Sequence, residues 1–172
     1  MKEHKSEGFT LVDLIIVIII LGILAALAIP QFTTSTDDAQ LAALQSNLGV
    51  LRNAIQLYYH QHESTYPGRT DPATGNDTAD AAAAATAFAQ QLTQYTNAAG
   101  AISTTLNRAT HPFGLYFLNG VPENVLSPSG NTVKALVDTD PIAAGDIDDL
   151  TAWVVNVNTG EIRANVTGYL GE

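Results

Sequence analysis

The chain contains no cysteine, a single tryptophan, and only seven Lys and Arg among its 172 residues. Without cysteine there is no disulfide framework, no thiolate metal site and no cysteine nucleophile, and redox chemistry says nothing about compartment. Seventeen Asp and Glu face those few basic residues, for a net charge of −10. That balance excludes a nucleic-acid surface, which needs a basic stripe, so no nucleic-acid partner is expected. It equally excludes peripheral docking on anionic lipid. Charged residues make up 14% of the chain, against about 25% in an ordinary soluble domain. Catalytic signatures are also missing. There is no Gly-x-Ser-x-Gly elbow and no phosphate loop. His60 and His62, two apart on a helical stretch, point to different faces and make a poor zinc pair. His111 precedes Pro112 with no matching nucleophile. No activated nucleophile or acid–base pair is visible, so an enzyme is not expected.

What is present is concentrated apolar character. Residues 9–29 form a run of 21 residues carrying one charge, Asp13. As a helix the run spans roughly 30 Å, the thickness of a bilayer core. A polar head, Met1 to Gly8, precedes it with Lys2 and Lys5, and the next Lys or Arg is Arg52. The positive-inside rule then keeps the N-terminus in the cytoplasm and translocates the rest. The run exceeds the roughly 7–15 residues of a signal h-region. A retained, single-pass helix is therefore expected, with a plain membrane anchor as the bland alternative. Asp13 has two readings. It sits in the first turns, where the helix dipole and the headgroups favour a carboxylate; or it awaits a positive partner from another chain, since a carboxylate in hydrocarbon is costly. Gly22 adds flexibility, and Pro30 removes a helix hydrogen bond and should kink or locally melt the helix.

Gly8-Phe9-Thr10-Leu11-Val12-Asp13-Leu14-Ile15 resembles the cleavage and methylation motif of type IV pilins and type II secretion pseudopilins. The resemblance covers about the first 30 residues. It implies that a prepilin peptidase cuts between Gly8 and Phe9 and N-methylates Phe9. Asp13 stands where the family has a glutamate that neutralises a neighbouring subunit's N-terminal amine; Asp keeps the charge on a shorter arm. Gly22 and Pro30 fall where the family commonly has glycine and proline. Loss of Met1–Gly8 removes two lysines and two glutamates, leaving the net charge unchanged. The family implies a homo-oligomeric helical filament, served by an inner-membrane assembly platform and minor pseudopilins. It places the unassembled subunit in the bacterial inner membrane with its head in the periplasm.

The rest of the chain is read as a globular head. Leu41, Leu44, Leu48, Leu51, Ile55 and Tyr58 are spaced 3, 4, 3, 4 and 3, a seam suited to an intramolecular core, with a two-chain coiled coil as the alternative. This amphipathic continuation covers residues 30–66 and should end before Tyr66-Pro67-Gly68. Residues 68–80 read as a loop. Phe88, Leu92 and Tyr95 after an alanine run predict a second helix over about 79–96, closed by Asn97–Gly100. Leu115–Leu118 reads as a short strand or extended segment and Thr132–Val137 as a strand. Ala152–Val157 and Glu161–Val166 read as a hairpin with Gly160 at its left-handed position. Trp153, Val155 and Val157 should face the long helix. The fold class is α+β: a long N-terminal helix on a small C-terminal antiparallel sheet, pilin-like. Its segments are 1–8 (leader), 9–29 (membrane and assembly helix), 30–66 and 67–172 (head).

Asp138, Asp140, Asp146, Asp148 and Asp149 crowd one loop. Calcium takes six to eight oxygen ligands and clustered aspartates can supply them, though the spacing is not that of an EF-hand. The other reading is a solvated acidic loop. Major pseudopilins as a family bind calcium in a C-terminal loop, and resemblance thus implies Ca2+ as the one cofactor to consider. Thr65-Tyr66-Pro67 resembles the Tyr-Pro turn after the long helix of major pseudopilins. His111–Tyr116 with Pro122 looks like their Gly-Pro-Tyr-Leu…Pro segment, with Leu115 in place of the proline. These features and the missing cysteine pair favour a type II secretion pseudopilus. A type IV pilus for adhesion or motility, and an anchored binding domain that does not polymerise, are the alternatives.

Overall fold

The computed structural model describes residues 9–169, with the backbone alone described for 26–35. The leader and Gly8 therefore lie outside the described residues, as does the side chain of Pro30. Contacts divide the chain into two units, residues 1–39 and 40–172. Helix α1, Leu11–Gln61, belongs to both. Its backbone stays helical through Gly22 and Pro30, so the local melting expected at Pro30 does not occur. Proline's fixed φ near −65° is compatible with a helical backbone.

In the second unit the seam is an intramolecular core. Leu44, Leu48, Leu51, Ile55 and Tyr58 are fully buried, with Leu41 packed at the edge. A left-handed turn ends α1: Glu63 and Ser64 have φ of 53° and 62°, and the Ser64 N–H donates to the Tyr59 carbonyl at 3.1 Å. His62 is buried at this end. Its ring stacks on Tyr58 at 3.6 Å, Nδ1 meets the Tyr58 carbonyl and Nε2 meets Thr96 Oγ1, both at 2.8 Å. Burial pushes its pKa down. The residue is thus a packed core histidine, spent on two hydrogen bonds.

Helix α2 runs Ala81–Thr93, shorter than the predicted span. Asp80 caps it by accepting from the Ala83 N–H at 2.8 Å, which satisfies one of its free N-terminal donors. Ala84, Phe88 and Leu92 enter the core. Beyond it, Tyr95–Thr96 (β1) pairs antiparallel with Ile102–Ser103 (β2), so Asn97–Gly100 closes a small hairpin that the sequence pattern did not announce. Leu115–Leu118 forms no strand, with a bend at Tyr116 and a turn at Leu118; the Tyr116 and Phe117 N–H groups both donate to the Leu92 carbonyl.

The main sheet has the order β3 (Val133–Leu136), β4 (Trp153–Asn156), β5 (Ile162–Ala164). β4 and β5 form the expected antiparallel hairpin, with Trp153 opposite Ala164. β3 and β4 are parallel, Val133 opposite Trp153, so the sheet is mixed where an all-antiparallel one was expected. The reason is the connection. Residues 137–152 cross over rather than turn back, and parallel neighbours need such a crossover. Trp153, Val155 and Val157 join the α1 core as expected. Val154 and Asn156 are buried too, so β4 is covered on both faces.

Candidate assembly surface

The apolar run is exposed on every side of its helix. Phe9, Leu11, Val12 and all large residues from Leu14 to Leu24 are between 42% and 79% accessible. Ile18, Ile19, Ile20 and Leu21 are consecutive and step about 100° each, so they cover the circumference. An apolar surface of this extent on a soluble chain marks an interaction site or a lipid-facing segment.

The helix start is built by Thr10 and Asp13. The Thr10 N–H and hydroxyl both donate to Asp13 Oδ2, at 3.0 and 2.7 Å, and the Asp13 N–H donates back to Thr10 Oγ1 at 3.2 Å. This is a reciprocal capping box, with Asp at the position where Glu or Gln is usual. Asp13 thus has local partners within one chain. Sequence reasoning overlooked Thr10, although Thr-x-x-Asp ahead of an apolar run is a legible signal.

The acidic loop is folded by amides. Asn156 Nδ2 donates to Asp138 Oδ1 (3.0 Å) and the Asp140 carbonyl (2.8 Å). Asn158 Nδ2 donates to the Val137 and Asp138 carbonyls. Asn165, fully buried, donates to Asp148 Oδ1 and accepts from the Asp148 N–H. Asp146 accepts from the Ala143 N–H at 2.8 Å, and Asp149 accepts from Thr167. Lys134 Nζ bonds the Asp146 carbonyl (2.6 Å) and Asp148 Oδ2 (2.9 Å). The lysine and asparagine hydrogen bonds hold the Asp148 carboxyl down at a pKa of about 2. The five aspartates therefore do not converge on one point, and among the described residues no three His, Cys, Asp or Glu form a metal-holding group. Four of the carboxylates are committed to separate partners, and that of Asp140 accepts no hydrogen bond among the described residues.

Among the described residues no helix is long and apolar enough to cross a membrane. The described side chains of the apolar run stop at Ala25, short of the 21-residue sequence run.

The prokaryotic N-terminal methylation motif matches residues 4–29. The type II secretion system core protein G of Pseudomonas aeruginosa is 34% identical over 58 residues, which is 34% of this chain and 41% of that protein. The type IV narrow pilus major component PilA5 of Thermus thermophilus is 44% identical over 53 residues, 31% of this chain and 46% of that protein. The type IV major fimbrial protein FimA of Dichelobacter nodosus is 46% identical over 54 residues, 31% and 35% respectively. The chain spans less than half the length of these curated relatives. No solved structure matches it. The matched motif contains Gly8–Ile15, and in this N-terminal stretch the chain is similar to type IV pilin-like proteins.

Proposed function

We propose that this chain is the structural subunit of a type II secretion pseudopilus. The observation that carries the reading is the start of α1, apolar and exposed around its whole circumference from Leu11 to Leu24, joined to the methylation motif. A prepilin peptidase cuts between Gly8 and Phe9 and methylates Phe9. The helix resides singly in the inner membrane before assembly, with the head in the periplasm. On assembly it exchanges lipid for sister helices, a step driven by packing and polar pairing, since lipid tails are as apolar as the helix itself. Asp13 then meets a neighbour's amine, and it must share or release its Thr10 bonds to do so. The filament supports export of folded proteins across the outer membrane.

Similarity to core protein G supports the secretion role. So do the cysteine-free head, its Tyr66-Pro67 turn and a C-terminal loop closed by side-chain amides. The second reading, a type IV pilus subunit, is favoured by the higher identity to the pilus proteins, 44% and 46%. Quantitative proteomics of culture supernatant from a strain lacking the chain, against its parent, separates them. Loss of several exported proteins with sheared surface filament unchanged is the expected result. An unchanged secretome with loss of sheared filament would establish the pilus reading instead.

A further inference from the structure

Seven Lys and Arg are few enough to trace singly, and five follow Phe9. Within the head Arg69 pairs with Asp77, Lys134 with Asp148 and Arg163 with Glu161. Arg52 and Arg108 have no carboxylate partner among the described residues. The two differ in setting. Arg52 lies on the exposed face of α1, where its Nη2 donates to the Ile162 carbonyl at 3.4 Å. With Gln56 and the turn Thr159–Arg163 it lines an open groove of about 440 Å³. Glu161 and Arg163, which pair with each other, also line it. The Glu161 carboxylate already accepts from Arg163 Nε at 2.7 Å and the Ile142 N–H at 2.9 Å. On a chain of net charge −10, Arg52 brings to this groove a positive charge with no carboxylate partner among the described residues.

Most carboxylates in the described residues are taken. The side chains of Asp13, Asp71, Asp77, Asp80, Asp138, Asp146, Asp148, Asp149 and Glu161 all accept hydrogen bonds. Asp37 and Asp38 accept none among the described residues. They are adjacent, exposed and on α1, and no Lys or Arg stands between Lys5 and Arg52. Glu63, Glu123 and Asp140 are free as well, but each is a single charge on the head, where water serves it. Asp37 and Asp38 follow the apolar run. If helices bearing that run pack side by side, both carboxylates lose water and require a cation that their own stretch of chain does not carry.

On the assembly reading above, we infer that the Arg52 groove of one copy receives Asp37 and Asp38 of a neighbouring copy. The pairing joins the head of one subunit to the helix of the next. It fixes their register, because a like-charged juxtaposition at any other offset is disfavoured.

Charge reversal in the full-length chain tests this, with assembled subunit measured in sheared and membrane fractions. Arg52→Glu is expected to reduce the assembled fraction at least about tenfold, as is the pair Asp37→Lys with Asp38→Lys. All three changes together should restore it to within about twofold of the parent. Arg108→Glu, which reverses the other cation without a carboxylate partner among the described residues, should leave assembly unchanged. Folding of each variant is read from the buried Trp153 in a urea titration. The absence of cysteine allows a second measurement: Ala39→Cys with Gln56→Cys should give a ladder of disulfide-linked multimers on oxidation. The inference is overturned if Arg52→Glu assembles like the parent, if the combined reversal is no better than the single ones, or if an assembled filament gives no ladder. Should the parent chain itself never assemble, the filament reading falls and this contact falls with it.

Discussion

Replacing Gly160 with alanine tests how the C-terminal hairpin is joined to the end of the long helix. Gly160 has φ of 73°, in the left-handed region, and its N–H closes the turn on the Asn156 carbonyl at 2.8 Å. An L-residue held in that region costs about 1 kcal/mol. The new Cβ would also land on the Tyr66 ring, against Cε1, 2.6 Å from Cδ1 and 2.8 Å from Cζ. Tyr66 must then swing out of its stack on Tyr59, where the centroids are 4.4 Å apart. Losing the stack adds about 1 kcal/mol, and displaced apolar contact brings the total to about 2–3 kcal/mol. Gly75 is the control. Its φ is 72°, yet nothing lies within 4 Å of its would-be Cβ, so Gly75→Ala should cost only the backbone part, about 1 kcal/mol. Urea titration of the full chain in detergent follows the single, fully buried Trp153. The Gly160→Ala midpoint should fall by about 1 M, well below that of Gly75→Ala. Equal shifts for the two variants would refute the idea that the Tyr66 ring is clamped by the hairpin.

The acidic loop gives a pH prediction. The Asp148 pKa falls from 3.8 to about 2 in the folded state, so its contribution is present above about pH 4 and is lost as pH drops towards 2. Unscreened, that drop would be worth about 2.5 kcal/mol; with Lys134 and Asp148 side chains 30% and 32% exposed, about 1 kcal/mol is expected after screening. Lys134→Ala should flatten the stability profile between pH 4 and 2, and an unchanged slope would show that the lysine is not what holds the carboxyl. Calcium at about 1 mM should leave the urea midpoint unmoved, because the aspartates are dispersed; a rise would mean that the loop regathers around the ion. Phe88→Ala empties a fully buried site and should cost about 3–5 kcal/mol, read from the same titration; a loss under about 1 kcal/mol would show that the core collapses to fill it.

The sequence by itself determined the long helix, its all-round apolar start and its amphipathic second half. Periodicity is local, and a 3–4 spacing of leucines means one buried stripe wherever the partner comes from. The Gly160 hairpin was legible for the same reason, since turn chemistry is set by neighbouring residues. So was the capping potential of Thr10 and Asp13. Tertiary structure alone decided the parallel pairing of β3 with β4, because nothing local records which strand a crossover returns to. It alone turned Asn156, Asn158 and Asn165 into clamps on a loop up to 21 residues earlier in the chain, counting Asn158 to Val137. Dispersal of the five aspartates followed from those clamps: carboxylates counted along a chain look like a ligand set, but the hydrogen bonds that aim them come from distant residues. His62 shows the same limit. Its place between Tyr58 and Thr96 depends on a residue 34 positions away, and spacing on one helix could exclude a zinc pair without revealing a buried, neutralised ring.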